Sequence, residues 1–356
     1  DINDDPMKPV SRYAQEEIAT HGDETPIHWI HRSERYGEKL ATPDVSVADL
    51  IGDIDPIKAA NLKLSFADER VIHYGIIPRS NRGIFVINEL PDLQARIQVA
   101  LFNILEEGDV QIRGFQLRLP LDILFIFTAN PEDYTNRGAI VTPLKDRIES
   151  QILTHYPKSL EDALEITEHE AEINEEQKDR VIVSDLVKRL IEQVAFEARS
   201  SELVDKKSGV SARLTISAFE NAVSSAERRA IINHEKKTQI WISDLAGIIP
   251  SITGKVELVY EGEQEGPFQV AMNLVDKAIR SQFIQYFPNP EQLKKRRSTG
   301  KPSQEEQKDD NPYRPVTKWF DKGNQLDISF NTADKDKVTL LYKVDGLFAL
   351  VKKYFP

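Results

Sequence analysis

Hydrophobic and polar positions along the first 157 residues alternate in short blocks. Gly83-Ile-Phe-Val-Ile-Asn88 and Leu124-Phe-Ile-Phe127 are apolar runs with the length and β-branched or aromatic content of buried strands. Each ends in polar residues, Asn88-Glu89 after the first and Thr128-Ala129-Asn130 after the second. Ligands of an open parallel sheet bind outside the carboxyl ends of its strands, so these two ends predict one site built from both. A carboxylate and a carboxamide there can orient a water against a phosphate, the service that phosphoryl transfer needs. Between the runs, residues 94–107 place apolar positions 97, 101, 104 and 105 on one helical face, and Gly108 supplies a stop. Residues 110–119 alternate strictly on both sides of Gly114, which predicts a β-hairpin inserted before the second strand.

Beyond residue 157 the period becomes helical over 160–177, 184–200, 211–234 and 242–249, with Ser184 and Ser211 as helix-start residues. A further helical run, 268–286, leads into a polar stretch at about 288–312 that cannot bury enough surface to order itself. Residues 326–330 and 338–342 resemble two strands, and 346–354 a closing helix. The expected organisation is therefore an α/β core over 1–157, an all-helical lid over 158–250, and a small α+β C-terminal module over 251–356 that includes the linker. No internal repeat occurs.

Composition narrows the chemistry. The chain has 356 residues, 40% of them hydrophobic and 29% charged, which describes a soluble globular protein of two or three domains. No apolar run approaches the ~20 residues needed to span a bilayer. The absence of cysteine removes disulfides, thiolate metal sites and thiol nucleophiles, and suits a reducing compartment, so the cytoplasm is expected. A net charge of −12 weighs against a broad nucleic-acid surface. His28 and His31 have a spacing that some metal sites use, but without a third ligand they read as structural. The basic run 294–297 reads as a solvated charge cluster.

The order of motifs resembles an AAA+ ATPase of the magnesium chelatase I-subunit and MoxR-like group. The matching pieces are Ile51-Gly-Asp-Ile-Asp-Pro-Ile-Lys58, Gly75-Ile-Ile-Pro-Arg-Ser-Asn-Arg-Gly-Ile-Phe-Val-Ile-Asn-Glu89, the 110–119 hairpin, Phe127-Thr-Ala-Asn-Pro131, Leu144-Lys-Asp-Arg-Ile148 and Ser211-Ala-Arg-Leu214. Together they span roughly residues 40–235. The resemblance implies a three-layer core with helices on both faces of a parallel sheet, and it implies ATP and Mg2+ as cofactors. It places Asn88 at the magnesium shell, where the group usually has Asp, with Asp92 nearby as a second acidic group. Glu89 would polarise the attacking water, and Asn130 would position that water or the γ-phosphate. Arg147 would act as an arginine finger on a neighbouring subunit, and Arg213 as the lid's nucleotide sensor. An arginine finger works only across a subunit contact, so a homo-oligomeric ring, expected to be a hexamer, is implied, with an unidentified client protein.

Each residue also has a plainer reading: a helix cap for Asn88-Glu89, a turn for Asn130-Pro131, surface ion pairs for Arg147 and Arg213. No Gly-x-x-x-x-Gly-Lys-Ser/Thr loop occurs to cradle phosphates. The chain begins at Asp1 rather than Met, and the expectation is that the first strand and its loop precede this start; as it stands the polypeptide is expected to bind ATP poorly. The expected output is remodelling of a partner protein or metal insertion. A non-catalytic scaffold is the alternative. A DNA translocase, suggested by Arg113 and Arg118 on the hairpin, ranks third, and no membrane partner is expected.

Overall fold

The computed structural model describes residues 2–66, 68–112, 118–130, 139–206, 208–292 and 311–355. The chain forms two compact units, Asp1–Leu153 and Thr154–Pro356.

In the first unit, Arg12–His21 is a helix (α1) opened by Ser11, and the strands are β1 (Tyr36–Leu40), β2 (Gly52–Ile54), β3 (Ile72–Tyr74), β4 (Gly83–Asn88), β5 (Asp109–Gln111), β6 (Arg118–Pro120) and β7 (Ile123–Phe127). β1, β4 and β7 make a parallel sheet in that order, with Leu40 opposite Asn88 and Ile87 opposite Phe127. The α/β class and the parallel pairing of both apolar runs stand as the sequence predicts. The helix α2 (Ala95–Glu107) buries Ile97, Leu101 and Ile104, and Gly108 ends it at φ 65°, its N–H donating to Ile104 O at 3.0 Å. β5 and β6 pair antiparallel as the expected hairpin, while its tip, including Arg113 and Gly114, lies outside the described residues.

Alternation sorts the sheet into two unlike faces. Phe85 and Ile87 are buried and Phe125 and Phe127 pack against the same core as α2, with Phe85 and Phe125 edge to face at 6.1 Å. The opposite face presents Ile84, Leu124 and Ile126 to solvent at 38%, 59% and 43% exposure, beside exposed Tyr36 and Leu40. A parallel sheet is ordinarily covered on both faces. Among the described residues, no strand pairs with the outer edge of β7.

The second unit is helical around one core. Its main helices are α3 (Leu160–Glu170), α4 (Asp185–Ser200), α5 (Arg213–Ile232), α6 (Pro267–Tyr286) and α7 (Asp334–Tyr342). Ile191, Val194, Ala222, Ile252, Leu274 and Ala278 belong to a single buried cluster, so the chain beyond residue 250 packs into the core of the helices before it. The helical period over 160–177 is interrupted after Glu170, because Asn174 forms a capping box with Gln177 and starts a new turn, Glu175–Arg180. The strand reading of 338–342 is corrected: those residues are the end of α7, and 326–329 has no regular structure. A five-residue apolar run does not distinguish strand from helix, whereas Asp334 and Asp336 in the first turn favour the helix dipole. Of the linker expected at 288–312, residues 293–310 lie outside the described residues. No helix among the described residues is long and apolar enough to cross a membrane.

Glu192 of α4 is buried, and its carboxylate accepts from the Thr167 hydroxyl at 2.6 Å, which lies 2.9 Å from that of Thr215. Burial dominates and pushes this carboxyl up to about 7, against the hydroxyl bonds that favour its charge. A carboxyl raised on folding contributes stability that is complete below its unfolded value and lost as pH rises through its folded one. Stability is therefore expected to fall by about 2–3 kcal/mol between pH 5 and pH 8 from this group alone. Glu192→Gln should remove that slope and be the more stable protein at pH 8. Urea titrations of both proteins at the two pH values check this, and parallel pH slopes would sink it.

Candidate functional site

β4 and β7 run parallel in register, so the residues just past them are brought together. Thr128 N–H donates to Ile87 O at 3.0 Å and Leu90 N–H donates to Thr128 O at 2.9 Å, so backbone pairing continues past both strand ends and skips Glu89. Asn88 is held from the other side, where its carbonyl accepts from Ala41 N–H at 2.8 Å. Glu89 then leaves the strand in the left-handed conformation, φ 56° and ψ 49°. For a residue with a Cβ this costs roughly 1–2 kcal/mol, and it survives only where neighbours fix it. Its N–H, turned out of the ladder, donates to Thr128 Oγ1 at 3.1 Å. The Thr128 hydroxyl donates in turn to Asn88 Oδ1 at 3.3 Å, and Asn130 Nδ2 stands 3.5 Å from both carboxylate oxygens of Glu89.

The structure thus gathers Asn88, Glu89 and Asn130, as the sequence expects, and adds Thr128. Glu89 is partly exposed and Asn130 exposed, so a carboxylate acceptor and an amide donor stand together at the open end of the sheet. Such a pair can hold a water between an acceptor and a donor. Thr128 has a legible signal that the sequence reading leaves unused: it falls opposite Asn88 in the parallel register and bears a hydroxyl where the strand ends. Asp92 lies in the turn after Glu89, its N–H donating to Glu89 O at 3.0 Å.

The other expected residues stand elsewhere. Arg147 follows the short helix Thr142–Lys145, where its guanidinium pairs with Glu106 of α2 and with Asp146 at 2.6 Å. It also lies over the Phe102 ring, 5.1 Å from the centroid. An arginine acting on a neighbouring subunit must exchange these contacts. Arg213 opens α5 in the second unit with its side chain exposed, its own N–H donating to Ser211 Oγ at 3.2 Å. Arg118 of β6 is flanked by Glu107 at 3.5 Å and Asp109 at 3.4 Å. His31 Nδ1 lies 2.8 Å from Ser33 Oγ. Among the described residues no group of three or more His, Asp or Glu is placed to hold a metal. Asp133 and Arg137, beside the matched motif, lie outside the described residues.

The donors at this strand end are oxygen ligands of the kind that hard cations take. Asn88 offers an amide oxygen and Glu89 a carboxylate, while the loop that would cradle phosphates is not among these residues.

No family model matches the chain. Among solved structures, it is similar to a candidate ATPase of Cytophaga hutchinsonii ATCC 33406 at 21% identity and TM-score 0.28, over 68% of this chain and 76% of that one. It is also similar to the complex of magnesium chelatase subunits BchI and BchD at 17% identity and TM-score 0.30, over 65% and 72%. NtrX of Brucella abortus aligns at 17% identity and TM-score 0.27, over 40% and 34%. Superpositions this loose leave the reading of the site to its own residues.

Proposed function

We propose that this chain belongs to an AAA+ ATPase of the magnesium chelatase and MoxR-like group, which hydrolyses ATP with Mg2+ in a cytoplasmic homo-oligomeric ring, a hexamer, to remodel a client protein. The observation that carries the reading is the convergence of Asn88, Glu89 and Asn130 at the carboxyl ends of adjacent parallel strands. The outer edge of β7, with which no described strand pairs, and the exposed face of Ile84, Leu124 and Ile126 support it, since a further strand with its phosphate loop and helix would dock there. When bound, the magnesium nucleotide supplies the electrophilic phosphorus and the cation that offsets its charge. Glu89 would accept a hydrogen bond from the attacking water, Asn130 would fix that water's position, and Asn88 would offer an amide oxygen to the metal's water shell without adding charge. Arg213 would follow nucleotide occupancy from the lid. In this reading the core runs to residue 157, and the lid to about 250 and the C-terminal module after it share one buried cluster.

The test is steady-state ATP turnover by the complete natural polypeptide with and without magnesium. Turnover no faster than that of its Glu89→Gln variant would favour a nucleotide-free scaffold instead. Arg147→Ala is expected to leave ATP binding in place while lowering turnover by ~10³-fold; equal turnover would remove the arginine from the subunit contact. Arg118 stands beside two carboxylates, which gives the DNA reading no free cation on the described part of the hairpin.

A further inference from the structure

We infer that Thr128 is a positioning residue whose hydroxyl sets the aim of Glu89, an inference that rests on the reading of Glu89 as the water-polarising carboxylate. Glu89 adopts a left-handed backbone conformation that its side chain disfavours. In that conformation its N–H points away from β7's backbone and would be left without a partner at the strand end. Thr128 Oγ1 meets it at 3.1 Å. The same hydroxyl has one proton, and that proton goes to Asn88 Oδ1 at 3.3 Å. One side chain therefore fixes the backbone of Glu89 and the rotamer of Asn88 together, so that both face the open edge where Asn130 stands.

Backbone pairing holds Thr128 itself on both sides, from its N–H to Ile87 O and from Leu90 N–H to its carbonyl. Its position does not depend on the hydroxyl, so removing the hydroxyl should leave the strand intact while freeing the Glu89 N–H and the Asn88 side chain. Valine is close to threonine in shape and favoured in strands, which makes Thr128→Val the clean removal and Thr128→Ser the clean retention. With the Glu89 N–H unpaired, the left-handed turn loses the contact that fixes it, and the carboxylate samples directions away from Asn130.

Two measurements test this. In the complete natural polypeptide, Thr128→Val is expected to lower kcat for ATP by ~10-fold or more, the scale on which outer hydrogen-bond partners act. Its KM should stay within about twofold, because in this reading the hydroxyl acts on Glu89 and Asn88 rather than on the nucleotide. Thr128→Ser should stay within about threefold of the natural protein. In the 356-residue chain, amide exchange by NMR should quicken at Glu89 in Thr128→Val, with Phe85 and Ile87 unchanged. Unchanged exchange at Glu89, or a serine variant as slow as the valine one, overturns the inference. If Glu89→Gln abolishes turnover and Thr128→Val does not lower it, the role of Thr128 fails while the reading of the site stands. If Glu89→Gln leaves turnover intact, that reading fails and takes this inference with it.

Discussion

Asp244→Ala is expected to destabilise the helical unit by about 3–5 kcal/mol, the scale on which removing one member of a buried ion pair acts. Arg229 is 1% exposed, and its guanidinium donates to Asp244 from Nε at 3.1 Å and from Nη2 at 3.0 Å. It also pairs with Asp334 through Nη1 and donates from Nη2 to Gln239 O at 2.8 Å. Asp334 takes further bonds from Thr238 Oγ1 at 2.9 Å and Trp241 Nε1 at 2.7 Å, and buried Lys337 donates to Ser243 Oγ at 2.7 Å. Arg229 and Lys337 thus sit among three carboxylates, Asp244, Asp334 and Glu235, the last 3.8 Å from Arg229 Nη1, with both cations and Asp244 buried. Alanine at 244 leaves Arg229 with one fewer charge partner and removes the acceptor of Trp241 N–H, a bond of 2.8 Å that opens the following turn. Because Asp334 begins α7, the cluster also fastens that helix to α5. Limited proteolysis should accordingly release the C-terminal helices sooner in the variant. Urea unfolding at neutral pH with an unchanged slope measures the loss, and a value below about 1 kcal/mol would show that the cluster adds little beyond packing.

This cluster was not legible in the sequence, and the reason is physical. Arg229, Asp244, Asp334 and Lys337 are ordinary charged residues at wide separations, and only tertiary packing brings them to one point. The parallel pairing of β4 and β7 was legible, because each run is apolar, short and bounded by polar residues, a pattern set by burial on a sheet. The single face of α2 and its glycine stop were legible for the same reason: local periodicity and local backbone freedom decide them. The strand reading of 338–342 failed where periodicity carries least information, in a run shorter than two helical turns. The convergence of Asn88, Glu89 and Asn130 followed from topology alone. The left-handed turn at Glu89 did not, since a non-glycine residue gives no local warning that its backbone will be held there.

Glu89→Gln is expected to lower magnesium-dependent ATP turnover of the complete natural polypeptide by ~10²-fold or more. Glutamine keeps the length of the side chain and the cost of the left-handed backbone, so the turn after β4 should be preserved. What changes is the hydrogen-bonding sense of one carboxylate oxygen and the charge. The carboxylate accepts only, and it stands 3.5 Å from the donating amide of Asn130. With glutamine, an NH2 group faces either Asn130 or the water, so one of the two must turn away. Nucleotide binding should survive, because the group acts on the water rather than on the phosphates. Loss of binding together with turnover would place Glu89 in the metal shell, a role that Asn88 would then share. Full turnover in the variant would leave the strained turn at Glu89 with a purely structural purpose, capping the short helical turn Leu90–Asp92 that follows it.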